Sequence, residues 1–272
     1  MNLVSIINQI KLKKSFLCVG LDPDLDLLPK HLLKYNDPIF EFNKSIIDAT
    51  ADLCVAYKPN LAFYEKLGPN GLSSLKKTIE YIPSHHFVIA DAKRSDILNT
   101  AKMYADTFYN YYNCDAVTLS AYMGKDSLVP FLSYNKWVIL LIATSNPSAH
   151  DLQNLELNSG VPLYLELVKK AKLWSSYKNT MFVVGATRPN ELRLIRKLAP
   201  DYFFLVPGVG FQGGDIDSVV DAGFNQNCGL IVNISRSILY ADGGLKFDKY
   251  ARKECLAIQS KMELILRTKS FI

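Results

Sequence analysis

One alternation governs this sequence. A short apolar run is followed by an amphipathic stretch, and the unit recurs about eight times at roughly thirty-residue spacing. The apolar runs fall at 16–22, 55–60, 86–93, 116–121, 137–145, 181–187, 202–208 and 229–236. Several are almost continuously hydrophobic, the pattern of parallel strands covered on both faces. Helical periodicity fills the gaps at 42–54, 71–82, 97–112, 125–132, 162–174, 189–198 and 215–222. An amphipathic stretch over 1–14 precedes the first strand, and a last helix runs over about 250–267. Eight such units fit a closed (β/α)8 barrel better than an open doubly wound sheet. The chain has 272 residues, the size of one barrel, and no linker rich in Pro, Gly or Ser divides it. The reading is a single α/β domain over residues 1–272, a (β/α)8 TIM barrel.

Composition narrows the function classes. Hydrophobic residues make up 49% and charged residues 21%, enough apolar material for a large core. The net charge of +5 is mild and no basic arm is present, which argues against nucleic acid as a partner. No apolar run is long enough to cross a membrane. The N-terminus lacks a signal peptide's order of basic start, apolar centre and small-residue cleavage site. The five cysteines are odd in number and form no C-x-x-C, which reads as buried free thiols in a reducing cytoplasm. The four histidines show no spacing typical of a metal site.

The polar residues cluster at the C-terminal ends of the strands: Asp22, Lys58 with Asn60, Asp91 with Lys93, Ser120, Thr144 with Ser145, Thr187 and Arg236. In a barrel these ends converge on one face, where active sites are built. Contact with solvent explains any one of them, but less well two lysines and two acids in one register. Asp91 and Lys93 are two apart, so on a regular strand they point to the same side. Such an array is costly to desolvate, and it suits chemistry that delivers a proton and manages negative charge. The bland alternative is a buried ion-pair network closed by Asp96 as the N-cap of a helix from Ile97. Thr100, four residues on, would share a helix face with Asp96. Lys58, just inside a buried strand end, reads equally well as a site lysine or as one snorkelling to the barrel mouth.

The stretch Gly208-Val-Gly-Phe-Gln-Gly213 matches G-x-G-x-x-G. A dinucleotide fingerprint should open a run of further βα units, and only one strand follows. A phosphate site is the better reading. Glycine amides after strand seven, the start of the helix from Asp215 and the fork of Arg236 would together hold an anion. An ordinary Gly-rich turn is the bland alternative. The polar segment 145–161 is long enough to be a lid, although by itself a variable surface loop is the favoured reading.

At this point the residues resemble orotidine 5′-phosphate decarboxylase, in the longer bacterial branch of that family. The resemblance is carried by Asp91-Ala-Lys-Arg-Ser-Asp-Ile97, Cys18-Val-Gly-Leu-Asp-Pro23, Ala56-Tyr-Lys-Pro-Asn60, Ala143-Thr-Ser-Asn-Pro147, Val206-Pro-Gly-Val-Gly-Phe-Gln-Gly213 and Val232-Asn-Ile-Ser-Arg236. It covers essentially the whole chain. It implies decarboxylation of orotidine 5′-phosphate to UMP, the last step of de novo UMP synthesis, without metal or organic cofactor. Lys93 would protonate C6 of the pyrimidine, Asp91 would sit near the substrate carboxylate, and Lys58 would hold the charge network and a ribose hydroxyl. Asp22 would bind ribose and Ser145 the pyrimidine amide. Gln212 and Arg236 would bind the 5′-phosphate in a pocket shaped by Pro207 and the adjacent glycines. Asp96 and Thr100 would reach into a neighbouring subunit's site, making the active unit a homodimer. Ser235 stands where many relatives have glycine, which puts the backbone contact to phosphate there in question. The rival is a magnesium-dependent barrel enzyme acting on sugar phosphates, with a similar Asp-x-Lys-x-x-Asp array. Lys58 argues against it, since a cation stands where another metal ligand would help.

Overall fold

The computed structural model describes residues 1–210 and 213–272. Its strands are β1 (Leu17–Leu21), β2 (Ala56–Pro59), β3 (Phe87–Arg94), β4 (Ala116–Leu119), β5 (Trp137–Ala143), β6 (Thr180–Val184), β7 (Phe203–Pro207) and β8 (Leu230–Ile234). Each pairs in parallel with the next, and β8 pairs with β1, so the sheet closes into a barrel in sequence order. Closure leaves no strand edge exposed. Most strands are buried along their whole length, which explains their unbroken apolar runs.

The helices follow in chain order: α1 (Leu3–Lys13), α2 (Pro38–Thr50), α3 (Ala62–Glu65), α4 (Gly68–Tyr81), α5 (Leu98–Asp106), α6 (Val129–Leu132), α7 (Leu163–Trp174), α8 (Pro189–Leu198), α9 (Ile216–Gly223), α10 (Arg236–Leu239) and α11 (Phe247–Thr268). No helix among the described residues is long and apolar enough to cross a membrane. All five cysteines are free and buried.

Each predicted strand is present, and the differences lie at element ends. Helix α2 starts four residues before position 42, because Asp37 accepts a hydrogen bond from Phe40 N and Pro38 opens the first turn. The helix expected over 97–112 ends at Asp106 and passes into a wider turn, where Tyr112 N donates to Thr107 O. Strand β8 ends at Ile234, so Arg236 opens α10 instead of closing the strand. The short helices α3 and α10 have too few turns to leave a periodic signal.

At the opposite end of the barrel, Lys13 ties three elements together. Its ammonium donates to Ala51 O (2.6 Å) and Cys54 O (2.8 Å) and lies 2.6 Å from His86 Nε2. His86 is buried, with Nε2 also 2.8 Å from Ala51 O. Burial first, and the nearby ammonium second, push the imidazole down to about 4. The unfolded chain takes up this proton near pH 6.5, so His86's contribution is complete above about 6.5 and is lost as pH falls toward about 4. The slope is at most about 1.4 kcal/mol per pH unit. Urea unfolding of wild type and His86→Gln from pH 7 to 4 reads this directly: the wild type should lose stability more steeply than the variant. Parallel curves would show that His86 does not titrate on unfolding.

Candidate active site

The charge array at the end of β3 is physically continuous. Lys58 Nζ, on β2, donates to Asp91 Oδ2 at 2.8 Å, and Lys93 Nζ donates to Asp91 Oδ1 at 2.6 Å. One carboxylate therefore sits between two ammonium groups. Lys58 is 3% exposed, which rules out the snorkelling reading, while the Lys93 side chain is half exposed. Burial would raise the Asp91 carboxyl, but the Lys58 and Lys93 charges outweigh it and hold the group far below the usual carboxylate range. Burial would lower the Lys58 ammonium, yet the Asp91 and Asp22 charges hold it above its ordinary value. Asp91 is therefore ionised and Lys58 keeps its proton at neutral pH.

Simple strand alternation does not bring Asp91 and Lys93 together. Lys93 has φ of +50°, in the left-handed region, and the β3–β4 register shifts between Ala90 and Arg94. The chain kinks at Lys93, and the ammonium folds back onto Asp91.

The array opens into a cavity of about 430 Å³, a size suited to a small metabolite. Asp22, Ser145, Pro207 and Arg236 line the same cavity, so most of the residues singled out in the sequence converge there. Leu141, Val183 and Leu205 give it an apolar side. The loop carrying Asp22 is fixed by Tyr240, whose hydroxyl donates to Asp22 O (2.9 Å) and accepts from Asp24 N (2.7 Å). The loop carrying Ser145 is held by Gln153, which accepts from Thr144 N (2.9 Å) and donates to Thr144 Oγ1 (2.8 Å). Arg188 in turn donates to Asn154 Oδ1 and Glu191 Oε1. The stretch 145–161 is thus tied to the strand ends it follows.

Ser235 has a packing explanation. A Cβ on Gly20 would lie 1.9 Å from Ser235 Oγ, so the missing side chain at Gly20 makes room for the serine. Ser235 and Asn233 both line the cavity.

Other expectations need correction. Ile97, not Asp96, stands at the N-cap of α5, and Asp96 Oδ1 accepts from the adjacent Ile97 N (2.8 Å). Asp96 lies two residues before the helix, so the face it was expected to share with Thr100 does not exist. Neither residue lines the cavity of its own chain. Among the described residues of the glycine turn, three amides are bonded within it: Gly210 N donates to Gly214 O, Gly213 N to Gly210 O and Gly214 N to Gly208 O. Those amides are not available to an anion. Asp215 caps α9 by accepting from Ser218 N, so a carboxylate already occupies that helix start. Gln212 lies outside the described residues.

Several cavity residues were missed in the sequence, among them Thr118, Asn146, Asn233 and Ser237. Thr118 and Asn233 lie within apolar strands, where a single polar residue reads as incidental. No group of three or more His, Cys, Asp or Glu side chains among the described residues is placed to hold a metal ion.

Comparison with known proteins agrees with this geometry. The family model described as "Orotidine 5'-phosphate decarboxylase / HUMPS family" matches residues 15–246. The chain belongs to this family. It is 51% identical over 270 residues to the orotidine 5'-phosphate decarboxylase of Phocaeicola vulgatus, covering 98% of this chain and 99% of the relative. It is 52% identical over 265 residues to the Flavobacterium johnsoniae protein of the same name, covering 96% and 97% of the two chains. The solved OMP decarboxylase of Leishmania donovani superposes with a TM-score of 0.81 at 36% identity, over 95% of this chain and 99% of that one. The chain spans 57% of the length of the Leishmania donovani UMP synthase structure, with a TM-score of 0.83 and 38% identity.

The ion array generates a stability prediction. Lys58→Met leaves Asp91 with one ammonium and should weaken the fold by about 3 kcal/mol, because a buried carboxylate loses the more deeply buried of its two partners. Urea unfolding at pH 7 measures it. Stability within about 0.5 kcal/mol of wild type, the usual range for a surface substitution, would mean that the Lys58 charge is not coupled to Asp91.

Proposed function

We propose that this protein decarboxylates orotidine 5′-monophosphate to UMP, the last step of de novo UMP synthesis, with Lys93 as the proton donor. The observation that carries the reading is the Lys58–Asp91–Lys93 array at the wall of a metabolite-sized cavity, with the half-exposed Lys93 side chain among the lining groups. Breaking the bond between C6 and the carboxylate carbon leaves an electron pair on C6, which the ring does not readily delocalise. A fixed ammonium beside that carbon stabilises the developing charge and then donates its proton to C6. Carbon dioxide leaves as a neutral molecule.

Asp91 serves two ends in this scheme. It holds Lys93 in place, and it faces the substrate carboxylate. Two such charges 4 Å apart repel by about 4 kcal/mol at an effective dielectric near 20, before Lys58 and Lys93 offset it. The repulsion fades as carbon dioxide forms. Binding energy from the remote phosphate holds the reactive end there. We assign that phosphate to Arg236 and Gln212 beside Pro207, the ribose to Asp22 and Lys58, and the pyrimidine amide to Ser145. Each described residue of this set lines the cavity. This scheme uses the chain's own groups throughout, and Lys58 stands where the sugar-phosphate reading would want a further metal ligand.

Asp96 and Thr100 complete the site from a second copy of the chain in this reading, which makes the active unit a homodimer. Both lie outside their own cavity, beside a stretch that exposes Ile97, Leu98 and Met103. A cytoplasmic setting fits the five unpaired thiols.

Ultraviolet absorbance of orotidine 5′-phosphate, followed in EDTA, tests the reaction. Wild type should convert substrate to UMP, and Lys93→Ala should not. A folded wild type that is silent in EDTA but active on a sugar phosphate with magnesium would overturn the proposal. Mixing inactive Lys93→Ala and Asp96→Ala chains should restore activity through hybrid dimers. Verified hybrids that stay inactive would refute the shared site.

A further inference from the structure

Lys93 holds an unfavourable backbone. A left-handed residue with a side chain costs roughly 1–2 kcal/mol and persists only where its surroundings enforce it. Several contacts brace this kink. Arg94 Nη1 donates back to Ala92 O (2.9 Å), and its guanidinium is paired with Glu65 and stacked near Tyr104. Ser120 N donates to Arg94 O (3.0 Å). The most concentrated brace is one hydroxyl on the neighbouring strand.

Thr118 lies on β4 and is 1% exposed. Its Oγ1 accepts from Ala92 N (3.0 Å) and from Lys93 N (2.9 Å), and it donates to Asp91 Oδ1 (3.0 Å). A hydroxyl has two acceptor lone pairs and one proton. Here both lone pairs take backbone N–H groups, so the proton has one direction left, toward Asp91. The oxygen it meets is the one that also receives the Lys93 ammonium. One atom thus fixes the main chain of Lys93 and the carboxylate that holds its side chain.

We infer that Thr118 is a positioning residue that sets the Lys93 ammonium at its working point, by pinning the residue 92–93 backbone and the Asp91 carboxylate with a single saturated hydroxyl. The inference rests on the proposed proton-donor role of Lys93. Thr118 itself moves no proton to substrate. Its contribution falls on the reactive end of the cavity, away from Arg236, so it acts on the chemical step more than on substrate affinity.

Thr118→Val keeps the shape and removes the hydroxyl, leaving two buried N–H groups without their acceptor. Thr118→Ser keeps the hydroxyl and removes a methyl. We expect Thr118→Val to lower kcat about 10²-fold with KM within about threefold of wild type, and Thr118→Ser to recover most of the rate. Hydrogen exchange of the Ala92 and Lys93 amides supplies a readout independent of turnover: both should exchange faster in Thr118→Val and as in wild type in Thr118→Ser. If Thr118→Val does not fold, Thr118→Ala removes the same hydroxyl without the second methyl. Wild-type exchange and kcat in a folded Thr118→Val would overturn the inference, as would a Thr118→Ser defect equal to that of Thr118→Val. Inactivity of wild type toward orotidine 5′-phosphate would refute the proposed reaction, while amide exchange would still decide whether Thr118 holds the kink.

Discussion

The structure is organised around a carboxylate caught between two ammonium groups. Asp91 gives one oxygen to Lys58 and the other to Lys93, and all three groups sit where the barrel strands end. Burying Lys58 is tolerable only because Asp91 and Asp22 stand nearby, and Asp91 stays ionised only because the lysines do. The strand ends must therefore be held rigidly enough to keep opposite charges within hydrogen-bond distance. A closed parallel barrel does this, since β2, β3 and β4 are each bonded on both sides.

The same place carries the backbone strain. A regular β3 would present Asp91 and Lys93 side by side, but the chain departs from that geometry at Lys93 and slips register against β4. Irregularities of this kind re-aim a side chain at the cost of local pairing. Thr118, Arg94 and Ser120 recover hydrogen bonds for the peptide groups that the kink disturbs. Charge placement and backbone conformation are thus one device, built from two adjacent strands.

Particular residues show what was legible in the sequence. The strands were, because burial on both faces forces continuous apolar runs, and the breaks between them fall at helical patterns. Lys58 and Asp91 were, because charges are rare in such runs. The helix ends were less so: Asp37 capped α2 ahead of its apolar periodicity, and Asp96 has a capping residue's chemistry without the position. Arg236 was found by its residue type but assigned to a strand, although it begins a helix. Ser235 looked anomalous until Gly20 was seen to face it across the β8–β1 seam.

The sequence by itself determined the barrel and picked out Asp22, Lys58, Asp91, Lys93 and Arg236, which line its cavity, because periodicity and charge are local properties of the chain. Tertiary structure alone decided which groups touch. Thr118 is an unremarked polar residue in an apolar strand until β4 lies beside β3, and only then does its hydroxyl meet three partners. It also decided which anion-binding features are free to act, since the amides of Gly210, Gly213 and Gly214 bond within their own turn and Asp215 closes the start of α9. Contacts between residues far apart in the chain depend on the register and the local departures from ideal geometry, and neither is written in a one-dimensional pattern.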